Sequence, residues 1–289
     1  MRIASGWKDF EVLDASGGEK LERWGDVTLI RPDPQVIWNT PKGPLWQRAD
    51  ARYHRSEKGG GSWELRGLHK EFWTISYGKE LVFKISPTGF KHTGLFPEQA
   101  VNWDLFGELI RGAGRPVRVL NLFAYTGGAT LACAAAGASV CHVDASRGMV
   151  AWARENQALS GLTDKPVRWI VDDCQKFVER EIRRGSRYDA VIMDPPSYGR
   201  GPGGEVWKLS DSVYSLVELC AGVLAEDPLF FAVNSYTTGL SPSVMEYILG
   251  VTVGRRHPGR GRTSSGEIGL PVRESGFVLP CGATALWTR

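Results

Sequence analysis

The sequence lacks the features that mark secreted, membrane-spanning and zinc-binding proteins. Its five cysteines are scattered and form no Cys-x-x-Cys pair, which disfavours a zinc site or a disulfide framework and fits reduced thiols. No apolar run reaches the roughly 18 residues that span a bilayer. The first residues also lack the apolar stretch of a signal peptide. We therefore predict a cytoplasmic protein without a metal site or a membrane association.

The sequence also lacks a large excess of positive or of negative charge. Lysine and arginine number 35 against 32 acidic residues, which gives a net charge of +3 and a pI of about 8.6. This balance permits nucleic-acid binding but does not argue for it, because a pI above about 9 is the stronger signature. With 289 residues and 42% apolar content, the chain can form one large domain or a catalytic domain with a smaller partner.

The sequence pattern changes near residue 90. Before that point, short β-type runs are separated by glycine, proline and aspartate, and the runs 72–77 and 81–85 alternate as a hairpin does. Seven of the eleven tryptophans lie in residues 1–103, where they would either fill a small core or expose rings to nucleobases. We predict a β-rich N-terminal domain over residues 1–90, a candidate for substrate or RNA recognition.

From residue 91 onward, strand-like apolar runs alternate with helical segments. Strands are predicted at 117–123, 139–144, 168–171, 188–193 and 229–233, and helices at 98–111, 129–136, 147–160, 175–184 and 210–224. Such alternation predicts a mainly parallel sheet covered by helices on both faces. Residues 267–289 predict a closing antiparallel hairpin. The predicted fold class is therefore α/β, with a Rossmann-like domain over residues 91–289.

Glycines and acids stand where three of these strands end. The run Ala124-Tyr125-Thr126-Gly127-Gly128 would turn tightly into a helix whose N-terminus suits a carboxylate or a phosphate. Asp144 ends the second strand about 20 residues on, where a carboxylate can accept from ribose hydroxyls. Asp172 and Asp173 follow the third strand and could accept from an adenine amine. The Gly-x-Gly-x-x-Gly pattern of dinucleotide sites is absent, which favours S-adenosylmethionine.

Four stretches together resemble the class I S-adenosylmethionine-dependent methyltransferases. They are residues 121–128, residues 142–146, Asp172-Asp173 and Asp194-Pro195-Pro196-Ser197-Tyr198. Residues 91–99 also resemble the family's T-G-L-F segment, which precedes the first strand of the Rossmann-like sheet. The resemblance covers roughly residues 80–250. It is greatest to the bacterial enzymes that methylate 23S ribosomal RNA on cytosine C5 or on guanine N2 and N7.

The resemblance implies a role for each of these stretches in cofactor binding. Asp144 would hold the ribose and Asp173 the adenine amine, while the turn after the first strand would line the methionine end. An arginine often follows the T-G-L-F segment and holds the carboxylate; Ala100 takes its place here, so Gln99 or the helix N-terminus would substitute. The predicted cofactor-binding residues are Thr93, Gly94, Leu95, Phe96, Gln99, Asn121, Phe123, Ala124, Tyr125, Thr126, Gly127, Asp144, Ala145, Ser146, Asp173, Cys174 and Asp194.

The Asp-Pro-Pro segment predicts the acceptor side of the site. The Asp194 carboxylate and the Pro195 carbonyl would each accept one N–H of an amine, aiming its lone pair at the methyl group. An aromatic ring beside them would stack on a nucleobase. The predicted catalytic residues are Asp194, Pro195, Pro196 and Tyr198. A rigid exit from the strand is the alternative interpretation of the two prolines.

The absence of a cysteine after the fourth and fifth strands decides whether a carbon or a nitrogen is predicted to be methylated. Methylation of cytosine C5 needs a nucleophile, normally a cysteine, and none follows the fourth or fifth strand. Asn234 and Tyr236 could line the acceptor pocket, although Asn234 could equally cap a turn. We predict a methyltransferase acting on a nucleobase nitrogen of ribosomal RNA, guanine N2 or similar. The alternatives are transfer to a protein amide or a small molecule, and a non-catalytic RNA scaffold that binds S-adenosylmethionine.

Two glycine-rich loops could contact a substrate. Residues 255–262 carry four arginines and would form either a phosphate clamp or a solvated loop. Residues 199–204 are predicted to form a lid that orders when substrate binds. An RNA acceptor is favoured over the other acceptors if the N-terminal domain and residues 255–262 form one basic face with the Asp194 pocket.

Overall fold

The N-terminal part of the chain is built from short strands, most of which pair antiparallel. The computed structural model describes residues 1–56, 60–89, 91–200 and 206–289. The strands before residue 90 are β1 (Arg2–Ile3), β2 (Phe10–Ser16), β3 (Glu19–Trp24), β4 (Val27–Pro32), β5 (Ala51–Arg55), β6 (Gly61–Leu65), β7 (Trp73–Tyr77) and β8 (Leu81–Ile85). Strands β2 to β6 form one sheet in chain order, with a 3-10 turn over Pro44–Arg48 before β5. The pair β7–β8 is the predicted hairpin and is confirmed.

The remainder of the chain alternates strands and helices. Its elements are a 3-10 turn (Pro97–Gln99), α1 (Ala100–Gly112), β9 (Arg118–Leu122), α2 (Gly128–Ala135), β10 (Ser139–Asp144), α3 (Arg147–Leu159), β11 (Val167–Val171), α4 (Cys174–Arg183), β12 (Ala190–Met193), β13 (Tyr198–Arg200), β14 (Val206–Lys208), α5 (Leu209–Ala221), β15 (Phe230–Ser235), α6 (Pro242–Leu249), a π-helical turn (Gly250–Gly254), β16 (Arg262–Pro271) and β17 (Val278–Thr288). The predicted α/β class is therefore confirmed, and most predicted elements end within a few residues of the observed ones.

One eight-stranded sheet organises this half of the molecule. Its order is β1-β16-β17-β15-β12-β9-β10-β11, and the five strands from β15 to β11 run parallel. The predicted closing hairpin is confirmed as β16–β17, but β16 begins at Arg262 because it pairs with β17 as far as Thr288. The short strand β1 adds to β16, so residues 2–3 belong to the large sheet.

The core runs without a break from the N-terminal strands into the large sheet's helices. Trp24, Trp73 and Phe83 pack in one buried cluster with Trp103 of α1 and Leu131 of α2. Most tryptophans before residue 104 are thus buried or half-buried, which supports the core interpretation over an exposed aromatic surface. The division into domains at residue 90 stays a prediction. Within the described residues, no helix is long and apolar enough to cross a membrane.

A buried ionic cluster on β3 and β4 faces the loop that leads into α1. Arg31 donates to both carboxylate oxygens of Glu22, at 2.6 and 2.9 Å. Lys20 bridges Glu22 and Asp33 at 3.2 and 3.3 Å. Arg31 also donates to the carbonyl of Lys91 at 3.0 Å, which ties the N-terminal sheet to the segment before the 3-10 turn. Such a cluster is tolerated in a core because every charge in it has an opposite partner.

Candidate active site

The candidate site is a cleft at the carboxyl ends of β9, β12 and β15. Ligands of open α/β sheets bind at this edge, where the loops leave the strands. The cleft is lined by Leu95, Phe96, Gln99, Trp103, Asn121, Phe123, Ala124, Tyr125, Thr126, Gly128, Ala129, Ile192, Asp194 and Asn234. It therefore brings together Asp194 and the predicted cofactor residues of two segments, the T-G-L-F segment and the turn after β9.

The turn after β9 holds two non-glycine residues in the left-handed region. Phe123 has a φ of 55° and Tyr125 a φ of 50°, each costing about 1–3 kcal/mol unless its surroundings hold it. The Phe123 N–H donates to Sγ of the buried Cys174 at 3.3 Å. The Tyr125 N–H donates to Oδ2 of Asp144 at 2.9 Å. Cys174 thus supports the turn from behind, outside the lining of the cleft.

Asp144 is oriented by backbone donors and can still accept more hydrogen bonds. Its Oδ2 accepts from Tyr125 and its Oδ1 accepts from the Ser146 N–H at 2.8 Å. Each carboxylate oxygen keeps acceptor capacity, because an ionised carboxylate offers about four lone-pair sites. Burial raises the pKa of Asp144, while the two N–H groups oppose that rise. The neighbouring Ala145 and Ser146 are exposed, and Ser146 caps α3.

The two acids after β11 differ in their partners. Asp172 pairs with Arg180 of α4, which neutralises its charge. Asp173 is exposed and caps α4, its Oδ1 accepting from the Lys176 N–H at 2.9 Å. Because this cap uses one oxygen, the second oxygen of Asp173 is left for a ligand. In the described part of the chain, no group of three or more His, Cys, Asp or Glu side chains is placed to hold a metal ion.

The T-G-L-F segment packs beneath the turn after β9. The hydroxyl of Thr126 donates to the carbonyl of Gly94 at 2.5 Å. Thr93 is fully buried, and its hydroxyl has no partner among the residues that the structure describes. Leu95 and Phe96 reach the cleft, whereas Thr93 and Gly94 do not line it. The segment therefore contributes two apolar side chains to the site and supports the turn with its backbone.

Gln99 is engaged within the protein at both ends of its amide. Its Nε2 donates to the Tyr236 hydroxyl at 2.8 Å, and its Oε1 accepts from Asn102 at 2.7 Å. Neither end is therefore free to replace the family's arginine without breaking one of these bonds. The N-terminus of α2 is the better candidate for a carboxylate, since the preceding Gly127 is left-handed (φ 88°) and supplies no side-chain cap.

The Asp-Pro-Pro segment is fixed on the far side of the cleft. No described hydrogen bond or ion pair involves the Asp194 carboxylate; burial and the nearby charge of Glu98 raise its pKa to about 7. The carbonyl of Pro196 accepts from Trp207 Nε1 at 2.7 Å, and the Ser197 hydroxyl accepts from Thr237 at 2.8 Å. Pro195 is buried. The segment therefore presents a carboxylate that is able to accept from a ligand.

Aromatic rings line the cleft that contains Asp194 or pack against that lining. The Phe96 ring lies 5.4 Å from Tyr125 and 5.5 Å from Tyr236, measured between centroids. Tyr198 stands on the β13–β14 hairpin with 53% of its surface exposed. Its predicted catalytic role stays a prediction, whereas Phe96 and Tyr236 already lie beside the cleft. The pairing of β13 with β14 also brings Trp207 to the Pro196 carbonyl. This contact was not predicted from the sequence, because it depends on the pairing of two separate short strands.

The arginine run, residues 255–262, lies at the end of the large sheet where the parallel strands begin, opposite to the end where Asp194 lies. Arg262 pairs with Thr288, and Thr288 pairs with Phe230 at the beginning of β15. Asp194 instead follows Met193, which pairs with Val233 near the end of β15. Residues 255–262 therefore do not join the pocket in one basic face, so this condition for favouring an RNA acceptor is not met. Of the predicted lid, residues 201–204 lie outside the described residues.

Four residues that line the cleft were not predicted: Trp103, Gly128, Ala129 and Ile192. Gly128 begins α2 directly under the Trp103 indole. The spacing of apolar residues on α1 predicts that Trp103 is buried, but not that it reaches the turn after β9. Only the packing of α1 against α2 brings the two residues together.

Replacing Gly128 by alanine should destabilise the protein by about 1–3 kcal/mol, because an added methyl group overpacks the site. A Cβ at this position would lie 2.5 Å from Cζ2 of Trp103. Urea unfolding followed by circular dichroism measures the change in the free energy of unfolding. Gly148→Ala in α3 is the matched control, since its Cβ would meet only Ser146 Oγ at 3.8 Å. Equal stability of the Gly128 and Gly148 variants would contradict the packing argument.

Comparison with known proteins places this geometry among methyltransferases. A family described as S-adenosylmethionine-dependent methyltransferase matches residues 33–220. The ribosomal RNA large subunit methyltransferase K/L of Shewanella sp. strain MR-4 is 38% identical over 183 residues, which are 61% of this chain and 23% of that protein. The enzyme of the same name from Shewanella oneidensis is 39% identical over 129 residues, 44% of this chain and 17% of that protein. The chain thus spans less than a quarter of the length of these curated relatives.

Solved structures agree over nearly the whole chain. The SAM-dependent methyltransferase from Agrobacterium tumefaciens is 38% identical, with a TM-score of 0.90 over 99% of this chain and 92% of that chain. The methyltransferase SMU.776, complexed with SAH, is 18% identical with a TM-score of 0.72 over 98% of this chain and 76% of that chain. The second likeness concerns the fold alone.

Proposed function

Because this chain belongs to the S-adenosylmethionine-dependent methyltransferase family, we propose that it methylates a nucleobase nitrogen of ribosomal RNA, guanine N2 or similar. The observation that carries the proposal is the Asp194 carboxylate, which lines the cleft together with Phe96 and has no hydrogen-bond or ion-pair partner among the described residues; the Phe96 ring in turn packs against Tyr236. A carboxylate in this setting suits an acceptor that offers an N–H and a flat ring.

The residues of the cleft fit the cofactor. The oxygens of Asp144 retain acceptor capacity for the ribose hydroxyls, and the uncapped N-terminus of α2 suits the carboxylate. The second oxygen of Asp173 would accept from the adenine amine. S-adenosylmethionine supplies a methyl group activated by its bond to a positively charged sulfur. The protein's own contribution is to orient the acceptor nitrogen towards that group and to exclude water.

Asp194 would orient the acceptor. Its carboxylate would accept one N–H of the amine and the Pro195 carbonyl the other, so that the nitrogen lone pair is directed out of the ring's conjugation. Stacking of the base on Phe96 or Tyr236 would contribute about 1–3 kcal/mol. A base within folded RNA must first leave its stack to reach this cleft. The names of the curated relatives, ribosomal RNA large subunit methyltransferases, favour RNA as the acceptor.

The placement of the arginine run favours a second candidate acceptor. Residues 255–262 lie at the edge of the sheet away from Asp194, and the net charge is only +3. A phosphate clamp next to the pocket is therefore not provided by this segment. A small molecule or a protein amide would need no such clamp, and Asp194 could orient its N–H in the same way.

Cells that lack the gene should lose one methylated guanosine from their large-subunit ribosomal RNA. Nucleoside mass spectrometry of purified ribosomal RNA, compared between parent and deletion strains, measures this loss. Expression of the wild-type gene should restore the nucleoside, whereas the Asp194→Ala variant should not. An unchanged set of methylated nucleosides would contradict RNA methylation and would favour the small-molecule or protein acceptor.

A further inference from the structure

Asn234 lies next to Asp194 at the end of the neighbouring strand. Met193 and Val233 are paired in the parallel ladder of β12 and β15, and Asp194 and Asn234 directly follow that pair. Neighbouring strands of a sheet lie about 4.8 Å apart. Both residues line the cleft. The cleft therefore contains the amide of Asn234 beside the carboxylate of Asp194.

Arg2 of β1 fixes which atom of the Asn102 amide donates. Its guanidinium donates to Asn102 Oδ1 at 2.6 Å. Because an arginine side chain carries only donors, Oδ1 of Asn102 is the acceptor and Nδ2 is the donor. This Nδ2 donates to three buried oxygens, namely Gln99 Oε1 at 2.7 Å, Thr284 Oγ1 at 2.9 Å and Asn234 Oδ1 at 3.1 Å. Asn102 thereby determines which end of the Asn234 amide faces it.

The oxygen of the Asn234 amide is used within the protein. The Thr284 hydroxyl donates to Asn234 Oδ1 at 2.8 Å, in addition to the bond from Asn102. Asn234 and Thr284 are also paired residues of β15 and β17, which holds the two side chains together. Asn234 Nδ2 makes no hydrogen bond within the described residues, and it is not sealed off from solvent. It is therefore the atom of this amide that is left to donate to a ligand in the cleft.

We propose that Asn234 determines acceptor specificity by donating from Nδ2 to an acceptor atom beside the reacting amine, with Asn102 as its positioning residue. This inference rests on the proposed function and names the feature of the base that the site recognises. Asp194 would accept an N–H of the amine, whereas Asn234 needs a partner with a lone pair. In guanine, the carbon that bears N2 also bonds N3, which is an acceptor, and N1, whose hydrogen a donor would repel. The guanine edge that fits the two side chains is therefore N2–H together with N3.

Two nucleotides that differ at one ring position test this role. Guanosine 5′-monophosphate has the N3 acceptor, and 3-deazaguanosine 5′-monophosphate has a C–H in its place. Each is titrated into nitrogen-15-labelled protein with S-adenosylhomocysteine present, and the side-chain amide signals report both the affinity and the amide that contacts the base. The Asn234 signals are those missing from Asn234→Asp. We expect Asn234→Ala to weaken binding of guanosine monophosphate by about 3–10-fold, the contribution of one hydrogen bond, and to leave binding of the deaza analogue unchanged.

Asn102→Asp tests the positioning role. It replaces the Nδ2 donor by an oxygen of similar size, so Asn234 has to turn its own Nδ2 towards that oxygen and present Oδ1 to the cleft. Binding of guanosine monophosphate should fall while binding of the deaza analogue stays the same, a difference that a general structural defect would not produce. Asn39→Ala is the matched control, because Asn39 is exposed in the N-terminal part of the chain, and it should bind both nucleotides as the wild type does.

Equal weakening of both nucleotides by Asn234→Ala would overturn the proposal, as would equal affinity of the wild-type protein for the two. Circular dichroism establishes that each variant is folded. Adenosine 5′-monophosphate separates this inference from the proposed function, since adenine also has an amine beside an acceptor nitrogen. If it binds in place of guanosine monophosphate and depends on Asn234 in the same way, guanine is refuted as the acceptor and the role of Asn234 stands. Binding of none of these nucleotides would refute both.

Discussion

Methyl transfer should fall by about 10²–10⁴-fold when Asp194 is replaced by alanine, while cofactor binding stays unchanged. The carboxylate lies beside the cleft with no partner in the described structure, so its loss removes the group that would orient the acceptor and take its proton. Asp144 and the turn after β9 bind no atom of Asp194 and should retain their geometry. Transfer of labelled methyl groups and calorimetry with S-adenosylhomocysteine separate the two effects.

An exposed aspartate that lies outside the cleft provides a matched control for the Asp194 variant. Asp211 is exposed in the first turn of α5, shortly after the same segment, and Asp211→Ala should transfer methyl groups at the wild-type rate. If Asp194→Ala also retained that rate, the carboxylate would have no part in the reaction. Loss of S-adenosylhomocysteine binding would instead show that Asp194 supports the cofactor half of the cleft.

Replacing Asp144 by alanine should weaken S-adenosylhomocysteine binding by about 10²–10⁴-fold. Two hydrogen bonds from ribose hydroxyls to an ionised carboxylate contribute about 1.5–3 kcal/mol each. The change also removes the acceptor of the Tyr125 N–H, so the strained turn loses one of its two supports. Titration calorimetry measures the affinity directly, without the need for an identified acceptor.

Two further variants separate ribose binding from support of the turn. Asp144→Asn keeps one carbonyl oxygen for the Tyr125 N–H but lacks the charge, and its affinity should lie between those of wild type and Asp144→Ala. Asp164→Ala removes an exposed carboxylate, 73% of whose side chain is accessible, and should bind normally. Unchanged affinity in Asp144→Ala would show that the ribose is held elsewhere.

The strands of the large sheet could be predicted because their signals are local. Buried parallel strands are continuous apolar runs, and β10 begins and ends where its sequence predicts. The acids and glycines that follow such strands are adjacent in sequence to them, so their place at the carboxyl edge follows from the alternation alone. The predicted positions of Asp144, Asp173 and Asp194 at strand ends are of this kind.

Contacts between distant segments could not be predicted in this way. Gln99 and Tyr236 are 137 residues apart, and no local pattern indicates that the Gln99 amide donates to the Tyr236 hydroxyl. The sequence left open whether residues 255–262 lie near the pocket, because their distance from it depends on the register of β16 and β17. Likewise, the addition of residues 2–3 to the large sheet depends on a pairing with residues 268–269. These features follow from tertiary pairing and leave no periodic signal in the sequence.

The position of β17 in the sheet means that the site is completed late in the synthesis of the chain. Strand β17 leaves the ribosome after the other described strands, yet it lies between β15 and β16. Its Thr284 hydroxyl accepts from Asn102, and Asn102 also accepts from Arg2. A nascent chain released before residue 278 could assemble the five parallel strands and their strained turn, since domains fold progressively during synthesis. Its acceptor pocket would still lack the hydrogen bond between Asn102 and Thr284. A chain that ends before residue 278 should therefore bind S-adenosylmethionine but fail to transfer its methyl group.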